Sequence, residues 1–121
     1  MELEQLNDVY RDFEYPEEFA RIVDLNLVNF EMWYLLNPEQ VRRRVKGLQQ
    51  RYPHRKLIPF ARRDDCDDIA CFEVGKEDRI QIIHDFSTPG YEQRKEYADF
   101  WAWLRDAFEE MIERLTDEIN N

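Results

Sequence analysis

Leu3, Leu6, Val9, Tyr10 and Phe13 recur at helical spacing, which predicts a short amphipathic helix over residues 2–13. A second helix begins at Tyr15-Pro16-Glu17-Glu18-Phe19, where proline suits a first turn and two acids sit beside the positive end of the helix dipole. Its core face is Phe19, Ile22, Val23 and Leu27. After Asn26 and Asn29, the aromatic-rich run 30–36 reads as a strand. Asn37-Pro38-Glu39-Gln40 then carries an N-cap side chain, proline at the first helical position and glutamine at the third, the pattern of a capping box. That helix turns Val41, Val45 and Leu48 inward and Arg42, Arg43, Arg44 and Lys46 largely outward, and fades near Tyr52-Pro53. Gly47 inside it is a mild cost to which the sequence assigns no purpose.

Residues 57–61 predict the next strand, with Pro59 confined to an edge or a bulge because it has no N–H for the ladder. Residues 69–74 and 79–86 form a hairpin about the turn 75–78. In its first strand Ala70, Phe72 and Val74 share one face and Ile69 and Cys71 the other, so both faces are buried and the strand is central. In the second, His84 and Asp85 are adjacent and therefore point to opposite faces, a poor arrangement for a catalytic bond between them. After the turn 87–90 a long helix is expected from about 92 to 119. Its apolar sector holds Tyr97, Phe100, Trp101, Leu104, Phe108, Met111, Ile112, Leu115 and Ile119. Trp103 falls outside that sector; it either covers the sheet edge or stands as a partner anchor.

At 121 residues the chain is one domain, 1–121, with one core. Hydrophobic residues make up 43% and aromatics 14%, enough to fill a core despite 36% charged residues; no linker or repeat divides it. No apolar run spans a bilayer and Met1-Glu2-Leu3-Glu4 is acidic where a secretory signal is basic, so a soluble cytoplasmic protein is expected. Cys66 and Cys71 are then free thiols, one exposed and one buried. A net charge of −10 argues against direct binding of nucleic acid and for a basic protein partner. The charge is uneven: residues 1–37 carry net −7, residues 38–56 net +6 and residues 57–121 net −9. The basic island is either a solvated helix face or a contact for an acidic partner.

The stretch 57–72 concentrates the unusual chemistry: two arginines, then Asp64, Asp65, Asp67 and Asp68 around Cys66, between two apolar runs. Hard divalent cations favour carboxylates, but an EF-hand would need a ligand where Cys66 stands, glycine where Ile69 stands and glutamate where Gly75 stands. Zinc lacks four converging ligands, since strand alternation gives Cys66, Cys71 and His84 no reason to meet. Four carboxylates oppose a Cys66 thiolate, His54 lies among Arg51, Arg55 and Lys56 with no orienting acid, and no phosphate loop or serine elbow occurs. The expectation is no catalytic residue, no metal and no cofactor. Instead a partner-binding set is expected: Asp64, Asp65, Asp67, Asp68, Asp85, Tyr91 and Trp103, with Asp68, nearest the strand, the one that could be structural.

From Leu57 to about Glu113 the order of features resembles the SUKH superfamily, which includes yeast cell-wall-assembly regulators of the Smi/Knr type and many bacterial proteins. The residues that carry this are Ile58-Pro59-Phe60-Ala61, Asp67-Asp68-Ile69-Ala70-Cys71-Phe72, Ile82-Ile83-His84-Asp85-Phe86, and Phe100-Trp101 with Trp103-Leu104. The resemblance implies an α+β fold: an antiparallel sheet of about four to six strands flanked by helices, the long C-terminal helix packed on it. It also implies an immunity protein that blocks a toxin, often a nuclease, delivered between competing cells. A metal-dependent or small-molecule-binding enzyme built on residues 64–68, and a housekeeping scaffold of unknown partner, stand as alternatives.

Overall fold

The computed structural model describes residues 1–121. Three helices, α1 (Glu17–Asp24), α2 (Pro38–Arg51) and α3 (Phe100–Asn120), flank five strands: β1 (Trp33–Leu35), β2 (Leu57–Arg63), β3 (Asp68–Glu73), β4 (Ile80–His84) and β5 (Gln93–Tyr97). The strands form one antiparallel sheet in the order β1-β2-β3-β4-β5, a meander with β3 at its centre. The fold is α+β, as expected.

The alternation of side chains along β2, β3 and β4 divides the interior into two layers. Ile58, Phe60, Ala70, Phe72, Ile80 and Ile82 belong to the larger apolar cluster, with Phe19 from α1 and Phe100, Trp103 and Leu104 from α3. Ile69, Cys71 and Ile83 join Leu57 in a smaller cluster covered by Leu48 and Tyr52 at the end of α2. Aromatic rings fill the larger layer: Phe60 stacks on Phe72 at 4.6 Å, and Trp103 meets Phe60 edge-on at 4.8 Å. Edge-to-face and offset contacts of this kind stabilise beyond what their buried area contributes. No helix is long and apolar enough to cross a membrane.

Local chemistry explains the boundaries. The side chain of Asn37 accepts from the N–H of Gln40, whose own side chain accepts from the N–H of Asn37, completing the capping box. Pro59 is followed by a bulge, and β1 pairs only with residues 61–63, so the proline lies where β2 has no neighbour on that side. Gly75, at a φ of 93°, opens the β3–β4 turn in a conformation that favours glycine.

Four expectations change. Residues 2–13 form isolated turns, not a helix: Leu6, Tyr10 and Phe13 are buried, but their spacing is met by single hydrogen-bonded turns, such as Tyr10 N–H to the Leu6 carbonyl at 2.8 Å. A segment of this length is marginal as a helix, and Arg42 draws Glu4 and Asp8 to α2 instead. Leu27 is exposed rather than core. Residues 93–97 are strand β5, and α3 begins only at Phe100, where Asp99 caps it by accepting from the N–H of Ala102 at 2.8 Å. The run Gln93-Arg94-Lys95-Glu96 has no apolar side to bury in a helix, and charged side chains suit an edge strand that must not pair with another chain. Finally, α3 packs through Phe100, Trp103, Leu104 and Ala107, while Trp101, Ile112 and Ile119 are exposed. The inward face is therefore rotated from the predicted sector toward Trp103.

Candidate functional site

The register of β3 against β4 pairs Asp68 with His84, so the β2–β3 loop (64–67) and the β4–β5 loop (85–92) emerge at the same end of the sheet. They are joined by the backbone: Asp85 N–H donates to the Asp67 carbonyl at 3.0 Å. The turn before β1 adjoins them, with Asp64 N–H donating to the Met32 carbonyl at 2.9 Å.

The 85–92 loop is held from beneath by a buried carboxylate. The Asp85 side chain is 0% exposed and receives Arg44 at 2.9 Å and Arg51 at 2.7 Å, both from α2. It also accepts from the N–H of Phe86 at 2.9 Å. An unpaired buried charge would be costly, so two guanidiniums and a backbone donor are the condition for its burial. At Gly47 a β-carbon would come within 2.7 Å of the Arg51 guanidinium, the end of a long side chain that is here held by Asp85. Arg44, Gly47 and Arg51 share one side of α2 at spacings of three and four residues. The rest of the loop is tied by Tyr52 OH donating to the Ser87 carbonyl at 2.7 Å and Gly90 N–H donating to Glu92 at 2.7 Å. Arg55 bridges Glu92 and Glu73. Burial works to raise the Glu92 carboxyl, but the backbone N–H groups of Glu92 and Gly90 and the Arg55 guanidinium bring it below its ordinary value.

Of the sequence-predicted residues, Asp64, Asp65 and Asp67 are exposed on the first loop and Tyr91 on the second. Asp65 is engaged: Arg63 grips it at 2.8 Å and also reaches Glu110 of α3 at 2.9 Å, and that guanidinium lowers the Asp65 carboxyl to about 2. Asp68 lies at the start of β3, half-buried, with His84 at 2.7 Å and Arg94 at 3.4 Å, which makes it structural. Two expectations are corrected. Asp85 is inward and doubly paired, so it mounts the loop rather than facing a partner. Trp103, at 1% exposure, lies against Phe30, Trp33 and Phe60 in the core, and its indole N–H has no oxygen partner there. It cannot anchor a partner because no surface of it is available.

Phe86, expected within a strand over 79–86, lies beyond the end of β4 at His84, in the loop that follows. Its backbone adopts a φ of 69°, in the left-handed region, and its ring is 61% exposed. The expected divergence of His84 and Asp85 is observed, one toward Asp68 and the other toward α2. No three histidine, cysteine, aspartate or glutamate side chains converge as a cation site would require. Cys66 is exposed and Cys71 buried, both free. Desolvation raises the Cys66 thiol, with the neighbouring Asp68 and Asp65 charges acting in the same direction; burial raises Cys71 well above its ordinary value.

A cleft of about 480 Å³ between the sheet and α3 is lined by Arg63, Asp68, Arg94, Lys95, Tyr97 and acids of α3. Its polar groups are largely mutually paired: Arg63 with Asp65 and Glu110, and Tyr97 and Lys95 with Asp106. It offers no convergent set of free donors. No known protein family, characterised protein or solved structure matches the chain.

Proposed function

We propose that the protein is a non-catalytic protein-binding module for a basic partner and, following the SUKH resemblance of its second half, an immunity protein that neutralises a toxin domain in the cytoplasm. The observation that carries this is the mounting of the 64–67 loop. Asp64 and Asp67 are exposed, Asp64 with Arg62 at 3.5 Å, on a backbone fixed to Met32 on one side and Asp85 on the other. Rigid presentation lowers the ordering cost of association, and negative charge steers a cationic partner. A nuclease domain needs a basic groove for its substrate, which makes an inhibitor of net charge −10 electrostatically apt.

Co-expression with the toxin encoded beside the gene, followed by a nuclease assay of the purified complex, tests this. The expected result is a salt-sensitive complex in which the toxin is inactive. The variant Asp64→Asn/Asp67→Asn should fold normally and bind less tightly. The proposal fails if no toxin of the source genome binds, or if calorimetry finds calcium, magnesium, manganese or zinc binding in the micromolar range through these aspartates. A basic partner that is no toxin would indicate the scaffold role instead.

A further inference from the structure

We infer that Phe86 is the apolar anchor of this docking surface, the ring that a cationic segment of a protein partner covers, with Tyr91 exposed on the same loop and the carboxylates of Asp64 and Asp67 on the adjoining loop supplying complementary charge; this rests on the docking of a basic partner proposed above. The first ground is the backbone. A φ of 69° is unfavourable for a bulky L-residue and free for glycine, and Gly90 in the same loop takes 97°. An aromatic side chain held there by a buried carboxylate and two arginines runs against the stability of the free protein.

The second ground is what the ring does not do. Phe86 joins neither apolar cluster and remains 61% exposed, while Tyr91, five residues on, is 80% exposed. Its one marked contact is the Arg51 guanidinium, 4.2 Å above one face, which orients the ring without covering it. Other exposed apolar residues lack this mounting: Leu25 caps the end of α1, and Trp101, Ile112 and Ile119 lie along α3 in ordinary helical backbone, with Trp101 less exposed than Phe86.

Charge selects the occupant. The adjoining 64–67 loop is acidic and the chain carries −10, so a second copy or a nucleic acid is repelled and a lysine- or arginine-bearing segment attracted. Because the Arg51 guanidinium already lies over one face of the Phe86 ring, the cationic head group is received by Tyr91 and the aspartates, while the aliphatic stem of lysine or arginine lies against the open part of the Phe86 ring.

The test uses the full chain, isotope-labelled, titrated with a panel of cationic peptides of about 12 residues at about 150 mM salt, where loose surface attraction is screened. The expected result is saturable shifts at the amides of Asp64, Asp67, Phe86 and Tyr91. Phe86→Ala and Phe86→Gly should each weaken binding by about tenfold or more, as a central aromatic does. Phe86→Gly should leave the thermal midpoint unchanged or raised, because glycine accepts this φ. A structural role for the ring predicts the reverse, a lowered midpoint and unchanged affinity, and would overturn the inference. Saturable shifts confined to the acids of α3 would remove this surface and leave the basic-partner proposal standing. Absence of binding by every cationic peptide would count against both, and self-association through this loop would replace the basic partner with a second copy.

Discussion

Replacing Asp85 by asparagine keeps the shape of the side chain and removes the charge that two arginines converge on. The carboxylate is 0% exposed, whereas the Arg44 and Arg51 side chains retain 28% and 27% of their exposure. Removing one member of a fully enclosed ion pair costs about 3–5 kcal/mol because the survivor stays buried and unpaired. Here both guanidiniums can turn toward water, which reduces the cost to about 2–3 kcal/mol. For a chain of this size that corresponds to a fall of roughly 10 °C in Tm. Urea denaturation of both proteins measures the difference, and amide exchange locates it. Protection should be lost first at Asp85 and Phe86, whose N–H groups donate to the Asp67 carbonyl and the Asp85 carboxylate. A double-mutant cycle with Arg51→Gln should give a coupling of about 1–2 kcal/mol. A destabilisation below about 0.5 kcal/mol, the range of ordinary surface changes, with exchange unaltered in the loop would refute the reasoning, since the carboxylate would then not be holding it.

Gly47→Ala, which alone would favour a helix by about 1 kcal/mol, should leave stability unchanged or lower because the β-carbon displaces Arg51; in an Arg51→Ala background the same change should stabilise, and paired thermal melts decide. The Asp65 carboxyl, held at about 2 by Arg63, stabilises the folded state above its unfolded value near 3.8 and loses that contribution as pH falls between them. Because its side chain is 49% exposed, the contribution is about 0.5–1 kcal/mol after screening; the stability gap to Asp65→Asn should be constant above about pH 5 and close near pH 2 in acid titrations.

The amino-acid pattern by itself determined what depends on neighbours in sequence. The capping box at Asn37, the two-faced burial of β3, the Gly75 turn and the divergence of His84 and Asp85 all follow from spacing and local backbone chemistry. These made the α+β class legible, together with the exposed aspartates of the 64–67 loop. Asp99 before an aromatic run was a readable cap, and the polar stretch before it was a signal against helix. What remained hidden was set by contacts between distant residues. Helical periodicity cannot say which side of α3 meets the sheet when aromatics stand on several sides, and the packing of Phe30, Trp33 and Phe60 drew Trp103 inside. Nor can spacing reveal that a carboxylate at position 85 lies beneath arginines at 44 and 51, because that meeting depends on how α2 crosses the sheet. The close approach of Gly47 to Arg51 belongs to that meeting, so the tertiary structure alone disclosed how the 85–92 loop, with its exposed Phe86, is mounted.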